Sequence, residues 1–238
     1  MCTVSIVPHR DGLRVMSNRD ERRDRAVALA PQLISLGSMT AVLPIDPVGG
    51  GSWIGANDAG LVAAVLNRHQ GGSCDEARTS ASRGELVPMA LGFGSIDAAL
   101  SALQAIDPGR YRPFRLVLVQ KHEMAFVVGD TRRFTFSTAT LREPSMFTAS
   151  SLGDRFVDTP RRRLFEWLMM DHGAQLDGQS VFHRHQWTGK GDISVVMERG
   201  DAATVSRTTV DVGAVVVALE YESLAPPQPV QRVELSGC

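Results

Sequence analysis

Apolar and β-branched residues alternate with polar ones along the opening segment CTVSIVP, residues 2–8, and that period predicts a strand. Asp11-Gly12 is a hairpin turn signal, and Leu13 to Ser17 reads as the returning strand. The next run, Asn18 to Arg25 (NRDERRDR), is almost wholly charged and by itself reads as a solvated loop or helix face. Three glycines, Gly49 to Gly51, open a turn before SWIGAN, and Asp58-Ala59-Gly60 forms a second turn. Leu61 to Leu66 (LVAAVL) is continuously apolar, as suits a strand buried on both faces. Residues 52–57 and 61–67 are therefore predicted to form another hairpin.

The period then changes to a helical one over Ser82 to Phe93, with Pro88 as a predicted kink, and over Ser95 to Ile106, where Ser95 is the cap and Asp97 the first-turn acid. Beyond Asp107-Pro108-Gly109 come short β-type runs at Phe114 to Gln120, Met124 to Val128 and Phe134 to Ser137. Thr159-Pro160 looks like a cap followed by proline at the first helical position, opening a helix that runs to about Asp171. Ile193 to Met197 and Thr204 to Thr209 are predicted as the closing strands. Residues 225–238 (APPQPVQRVELSGC) read as a loosely held tail behind a single domain over residues 1–224. The order of elements predicts an α+β protein with two antiparallel sheets and helices outside them.

Composition narrows the partners. The chain has 238 residues, 43% hydrophobic and 21% charged, with a formal net charge of −1, which makes no electrostatic case for nucleic acid or an anionic membrane. No apolar run reaches the roughly 18–20 residues that span a bilayer. Three cysteines, Cys2, Cys74 and Cys238, stand far apart with no CxxC spacing, arguing against a disulfide framework or a zinc site and for a reducing, cytoplasmic compartment. Nothing in the pattern decides whether the chain is a homo-oligomer.

Cys2 is the residue with the most chemical promise. Removal of Met1 would leave a cysteine whose α-amine, with a reference pKa of about 8, can take the proton of its own thiol. A nucleophile and its base then come from one residue. The alternative is a small buried side chain at the start of a strand.

Three features occur in order: MCT at the start, Asn18-Arg19-Asp20-Glu21, and Gly50-Gly51-Ser52-Trp53-Ile54-Gly55-Ala56-Asn57-Asp58-Ala59-Gly60. Together they resemble the NRDE family, of the transport-and-Golgi-organisation type, within the N-terminal-nucleophile hydrolases. Over residues 1–70 the chain is also similar to choloylglycine hydrolases and penicillin V acylases. The resemblance implies a four-layer αββα sandwich and an amidohydrolase that cleaves a linear carbon–nitrogen amide without a cofactor. It implies that Asp20 holds the N-terminal amine of Cys2 and that Asn67 lies in the oxyanion hole. Arg19 joins them as a catalytic candidate, and Asn18, Trp53, Asn57 and Ser150 as candidates for substrate contact. Three positions depart from those hydrolases. Ser17 stands where they have arginine, Ser150 where a second oxyanion asparagine is usual, and Gly191 to Ser194 where a late arginine is expected. The same family is implicated in haem handling and lipid metabolism, so the partner is either a small amide or acyl substrate or, on a non-catalytic reading, haem or a lipid.

Other features carry less. His183-Arg184-His185 has HxH spacing, with His172 before it, but no neighbouring Cys or carboxylate completes a metal site. Arg161-Arg162-Arg163 opens a helix and opposes its dipole, so it needs some partner and could hold an anionic ligand, but a solvated face is the reading favoured. Cys74 reads as an exposed loop thiol.

Overall fold

The computed structural model describes residues 2–69 and 80–237. Met1, Cys74 and Cys238 lie outside the described residues. The two sheets are antiparallel throughout. One has six strands in the order β10 (Ser145–Ala149), β1 (Cys2–His9), β2 (Gly12–Arg22), β11 (Ala202–Gly213), β12 (Val216–Ser223) and β13 (Gln231–Ser236). The other has seven consecutive strands: β3 (Leu29–Leu36), β4 (Met39–Ile45), β5 (Ile54–Asn57), β6 (Val62–Asn67), β7 (Phe114–Gln120), β8 (Glu123–Gly129) and β9 (Phe134–Thr140). Helices α1 (Leu86–Leu91) and α2 (Ile96–Gln104) cover the seven-stranded sheet, while α3 (Asp154–Leu168) and α4 (Gln175–Arg184) cover the six-stranded one. This is the αββα sandwich, with its main core between the sheets.

The hairpin signals fall where the sequence puts them. Gly12 turns β1 into β2, and Gly60, at a φ of 73°, turns β5 into β6. Ser95 caps α2, its side chain accepting from the Ala98 amide at 3.3 Å. Pro88 produces no kink in a long helix, because Arg83–Glu85 is a 3₁₀ turn and α1 begins only at Leu86, so the proline falls in the first turn, where no N–H is needed.

Other expectations are corrected as well. The charged run at 18–25 is no solvated loop at its start: β2 continues to Arg22, and Asn18, Arg19 and Asp20 are all buried. Helix α3 starts at Asp154, so Pro160 sits inside the helix on its half-exposed side, not at its first position. Residues 193–197 form turns and bends, not a strand. Val195 and Met197 are apolar because they pack inward, while the carbonyls of Ile193, Ser194 and Val195 accept from side chains. The proline-rich C-terminal segment is also more ordered than a loose tail, because its residues 231–236 form β13, paired along β12.

Helix α3 buries one stripe, Val157, Arg161 and Phe165, at a spacing of four. Phe165 meets Phe182 of α4 edge to face, with centroids 5.1 Å apart, over a small separate core with Val7, Met146 and Met169. The arginine in that stripe is wholly buried, against the expectation of a solvated triplet. It is satisfied point by point. Nη1 donates to the hydroxyls of Thr3 (2.8 Å) and Thr148 (2.7 Å), Nε to the Ile193 carbonyl (3.0 Å), and Nη2 to the Ser194 carbonyl (2.6 Å). Arg162 takes the exposed alternative and pairs with Asp158 one turn earlier.

Helix α4 is docked by a second buried network. Asn18 Nδ2 donates to the carbonyls of His183 and Val195, both at 3.0 Å, so its Oδ1 must accept, from His183 Nδ1 at 2.9 Å. His183 Nε2 then accepts from the Ser5 hydroxyl at 2.7 Å, and that hydroxyl accepts from Gln179 Nε2 at 2.9 Å. One histidine tautomer, protonated at Nδ1, is consistent with all of these bonds. Burial pushes the His183 pKa down to about 3, with Arg207 and Arg161 adding to the shift.

Two outcomes follow. A Cβ at Gly51 would sit 2.3 Å from the Gly84 carbonyl carbon and 2.4 Å from its oxygen, so Gly51→Ala must part the glycine loop from the 3₁₀ turn. Denaturant titration is expected to show a loss of about 1–3 kcal/mol, and unchanged stability would contradict the contact. His183 has a depressed folded pKa, so below its ordinary value of about 6.5 the unfolded chain takes up a proton that the folded chain refuses. Stability must fall as pH drops from about 6.5 toward 3, by up to about 1.4 kcal/mol per unit from this group. Urea titrations at pH 6.5, 5.5 and 4.5 should show a shallower loss for His183→Gln than for the unmodified protein. Parallel losses would refute the assignment.

Candidate functional site

The register of the first strand decides what surrounds Cys2. It lies between Arg19 of β2 on one side and Ala149 of β10 on the other. Residues directly opposite in an antiparallel pair share a face, so the side chains of Cys2 and Arg19 project to the same side, toward the second sheet. Arg19 points away from its strand neighbours Asn18 and Asp20, and that brings it to the thiol's side. Ser17, the position of the arginine in the hydrolases, shares this face two residues further in, opposite Val4.

The two sheets part here to leave a cleft of about 190 Å³. Its walls include Cys2, Arg19, Asp20 and Glu21 from the six-stranded sheet, and Trp53, Val65 and Asn67 from the other. Val65 and Asn67, two residues apart on β6, share a face, and the Val65 amide bonds the Trp53 carbonyl at 2.9 Å. Thus Cys2, Arg19, Asp20, Asn67 and Trp53 come together, although they span 66 positions of sequence.

Arg19 is held tightly. Its guanidinium stacks 4.4 Å above the Trp53 ring and pairs with Asp46 at 3.2 Å and Glu21 at 3.6 Å. Arg25 pairs with the same two carboxylates. Burial works to raise the Asp46 pKa, but its hydrogen bond from Arg25 and the charge of Arg19 outweigh that and hold it below the ordinary carboxylate range. Trp53 belongs to both the core and the cleft. It packs near Tyr221 with centroids 6.3 Å apart and also lines the cleft.

Asp20 sits at the sheet's edge of the cleft, and its Oδ1 accepts from the Thr204 hydroxyl at 2.6 Å. Burial raises its pKa, while the nearby charges of Arg161 and Arg199 oppose the rise. Burial likewise pushes the Cys2 thiol up, with Asp20 adding to the rise and Arg19 opposing it.

Three candidates do not join the cleft. Asn18 lies on the opposite face of β2, spent on the His183 network, so it has no route to a substrate there. Asn57 is fully buried in the β5–β6 turn. Its Nδ2 donates to the carbonyls of Leu91 and Phe93, and its Oδ1 accepts from the Leu61 amide. Ser150 lies one residue past the Cys2 row. Its hydroxyl accepts from the Leu152 amide (3.2 Å) and from Arg199 Nη2 (2.9 Å). That contact reveals an arginine the sequence reading missed. The late arginine is absent from 191–194, but Arg199 reaches Ser150, Ser151 and the Asp192 carbonyl. The available signal was that Arg199 is the only arginine between Arg184 and Arg207.

The histidines do not converge. His183 belongs to the buried network, His185 meets Trp187 edge to face, and His172 bonds Gln175. Among the described residues no group of three or more His, Cys, Asp or Glu side chains is placed to hold a metal, and no helix is long and apolar enough to cross a membrane.

Known structures share this architecture. The N-acylethanolamine-hydrolyzing acid amidase ortholog of Caenorhabditis elegans superposes with a TM-score of 0.61 at 10% identity, over 87% of this chain and 92% of that one. A mutant conjugated bile acid hydrolase from Clostridium perfringens superposes with a TM-score of 0.57 at 13% identity, over 99% and 92%. At such identities the likeness shows the fold, that of the N-terminal-nucleophile hydrolases. No curated protein matches the chain. The family model for Transport and Golgi organisation 2 matches residues 1–173. That span contains the buried Asn18-Arg19-Asp20 segment, the Gly51 turn and the Cys2 row, and the chain belongs to the Transport and Golgi organisation 2 family.

Proposed function

We propose that the protein is an amidohydrolase for small linear amides, with Cys2 as nucleophile once Met1 has been removed. The observation that carries this reading is the shared cleft, where the Cys2 thiol lies opposite Arg19 with Asp20 and Asn67 in the walls. The C. perfringens neighbour adds support, since the mutation in that structure replaces a cysteine at its own second position with alanine.

The chemistry needs few parts. The freed α-amine of Cys2 takes the thiol proton, and the Asp20 carboxylate holds the resulting ammonium. The thiolate sulfur attacks the amide carbon, and the carbonyl electron pair moves onto oxygen. The Asn67 amide donates to that oxyanion, while Arg19 keeps positive charge beside the sulfur. The carbon–nitrogen bond then breaks, and the ammonium returns its proton to the departing amine. Water cleaves the thioester in the reverse sense and restores the thiol.

A haem or lipid carrier finds less support. The cleft, at about 190 Å³, is below the roughly 300–1,000 Å³ of pockets that enclose larger ligands, and charged side chains form much of its wall.

Intact-protein mass is expected to show Met1 absent. A panel of short N-acyl amides should be hydrolysed by the unmodified protein and not by Cys2→Ala. Asp20→Asn should lower kcat by about 10²–10⁴ and Asn67→Ala by about 10²–10³. Retained Met1 in the active protein, or full turnover by Cys2→Ala, would sink the proposal.

A further inference from the structure

Three arginines line the cleft: Arg19, Arg25 and Arg83. The first two share Asp46 and Glu21 as ion-pair partners. The third cleft carboxylate, Asp20, accepts from Thr204 and feels the charges of Arg161 and Arg199. Arg83 alone of the three forms no ion pair with a carboxylate among the described residues.

Its position is nonetheless fixed. It opens the 3₁₀ turn Arg83–Glu85, whose Gly84 amide is capped by the Ser82 hydroxyl at 3.2 Å. The Ser52 amide bonds the Gly84 carbonyl at 3.0 Å, and Gly51 lies flush against the same peptide with no room for a Cβ. The glycine loop that carries Trp53 therefore also holds Arg83. One guanidinium nitrogen, Nη1, donates to the Pro113 carbonyl at 3.1 Å, which orients the group and leaves its other nitrogens without a protein acceptor among the described residues. Burial weakens its hold on its proton, as do like charges at Arg112 and Arg25, while the charge of Glu21, which makes no ion pair with it, opposes the shift without cancelling it. A half-buried cation in such surroundings calls for a counter-charge, and the cleft offers the space for one.

We propose that Arg83 anchors the substrate, which is an amide bearing a single carboxylate. A guanidinium matches a carboxylate through two parallel hydrogen bonds. Asp20, Glu21 and Asp46 in the same walls disfavour a dianion such as a phosphate monoester. This assignment deepens the proposed hydrolysis and rests on it for the identity of the scissile bond.

Binding in the absence of the thiol tests it. Calorimetry with Cys2→Ala would compare N-hexanoylglycine with N-hexanoylethanolamine, and N-ethylsuccinamate with N-ethylbutanamide, placing the carboxylate on the amine side and the acyl side in turn. In at least one pair the acid should bind about tenfold tighter or more. Adding Arg83→Gln should shrink that preference to about twofold or less, while Arg83→Lys should recover part of it and so report on charge, not folding. Equal affinity within both pairs, no measurable binding of either acid, or a preference that survives Arg83→Gln would overturn the proposal. The hydrolase reading fails separately. If the acid binds through Arg83 but the unmodified protein cleaves nothing, the anchor stands without the reaction. If turnover is intact and Arg83→Gln changes nothing, the reaction stands without the anchor.

Discussion

A guanidinium buried under the first strand holds this structure in order. Arg161 stands where the apolar stripe of α3 calls for an aliphatic side chain, and an unpaired charge there would cost several kcal/mol. Its hydrogen bonds recruit Thr3 from β1, Thr148 from β10 and the carbonyls at 193–194. Those contacts draw together the helix layer, two adjacent strands and a loop. Asp20 supplies the nearby negative charge. Thr3 follows Cys2 directly, so the group that satisfies the buried charge also sets the lateral position of the residue before it. Polar residues in these strands, which look out of place by hydropathy, are the terms on which an arginine is accommodated.

The cleft depends on a second constraint, acting from the opposite sheet. Gly51 lets two backbone segments touch, and that contact carries both Trp53 and Arg83. The Trp53 ring then supports the Arg19 guanidinium from below, and Asp46 secures it from the side. One side of the cleft is thereby built on strand register and the other on close glycine packing. Neither relies on a long loop.

Much of this was legible in the sequence, for reasons that differ by residue. Turns announced themselves through Gly12 and Gly60, and the β5–β6 hairpin through its apolar run. The gathering of Cys2, Asp20 and Asn67 could be expected only through resemblance, because no local pattern reports a contact between residues 2 and 67. Asn18 and Asn57 were misread for one shared reason. A buried asparagine that satisfies three backbone or side-chain partners has the same sequence appearance as one that waits for a ligand. Residues 193–197 misled in the other direction, since inward-packed valine and methionine mimic a strand when side chains, not a neighbouring strand, take up the backbone carbonyls. Arg161 was hidden by its neighbours, as a run of three arginines reads as solvent-facing although a helix turns one of them inward.

The reach of family ancestry and the reach of folding do not coincide. The recognised span ends at residue 173, yet β2 is flanked on one side by β11, which begins at Ala202. Without the later strands, an edge of β2 would lie open along most of its length, inviting association with other chains. Asp20 would lose Thr204, and Ser150 would lose Arg199. The ancestral signature therefore marks only part of a cooperative unit. The remainder of that unit supplies the strand that closes the first sheet and the hydroxyl that steadies its acidic residue.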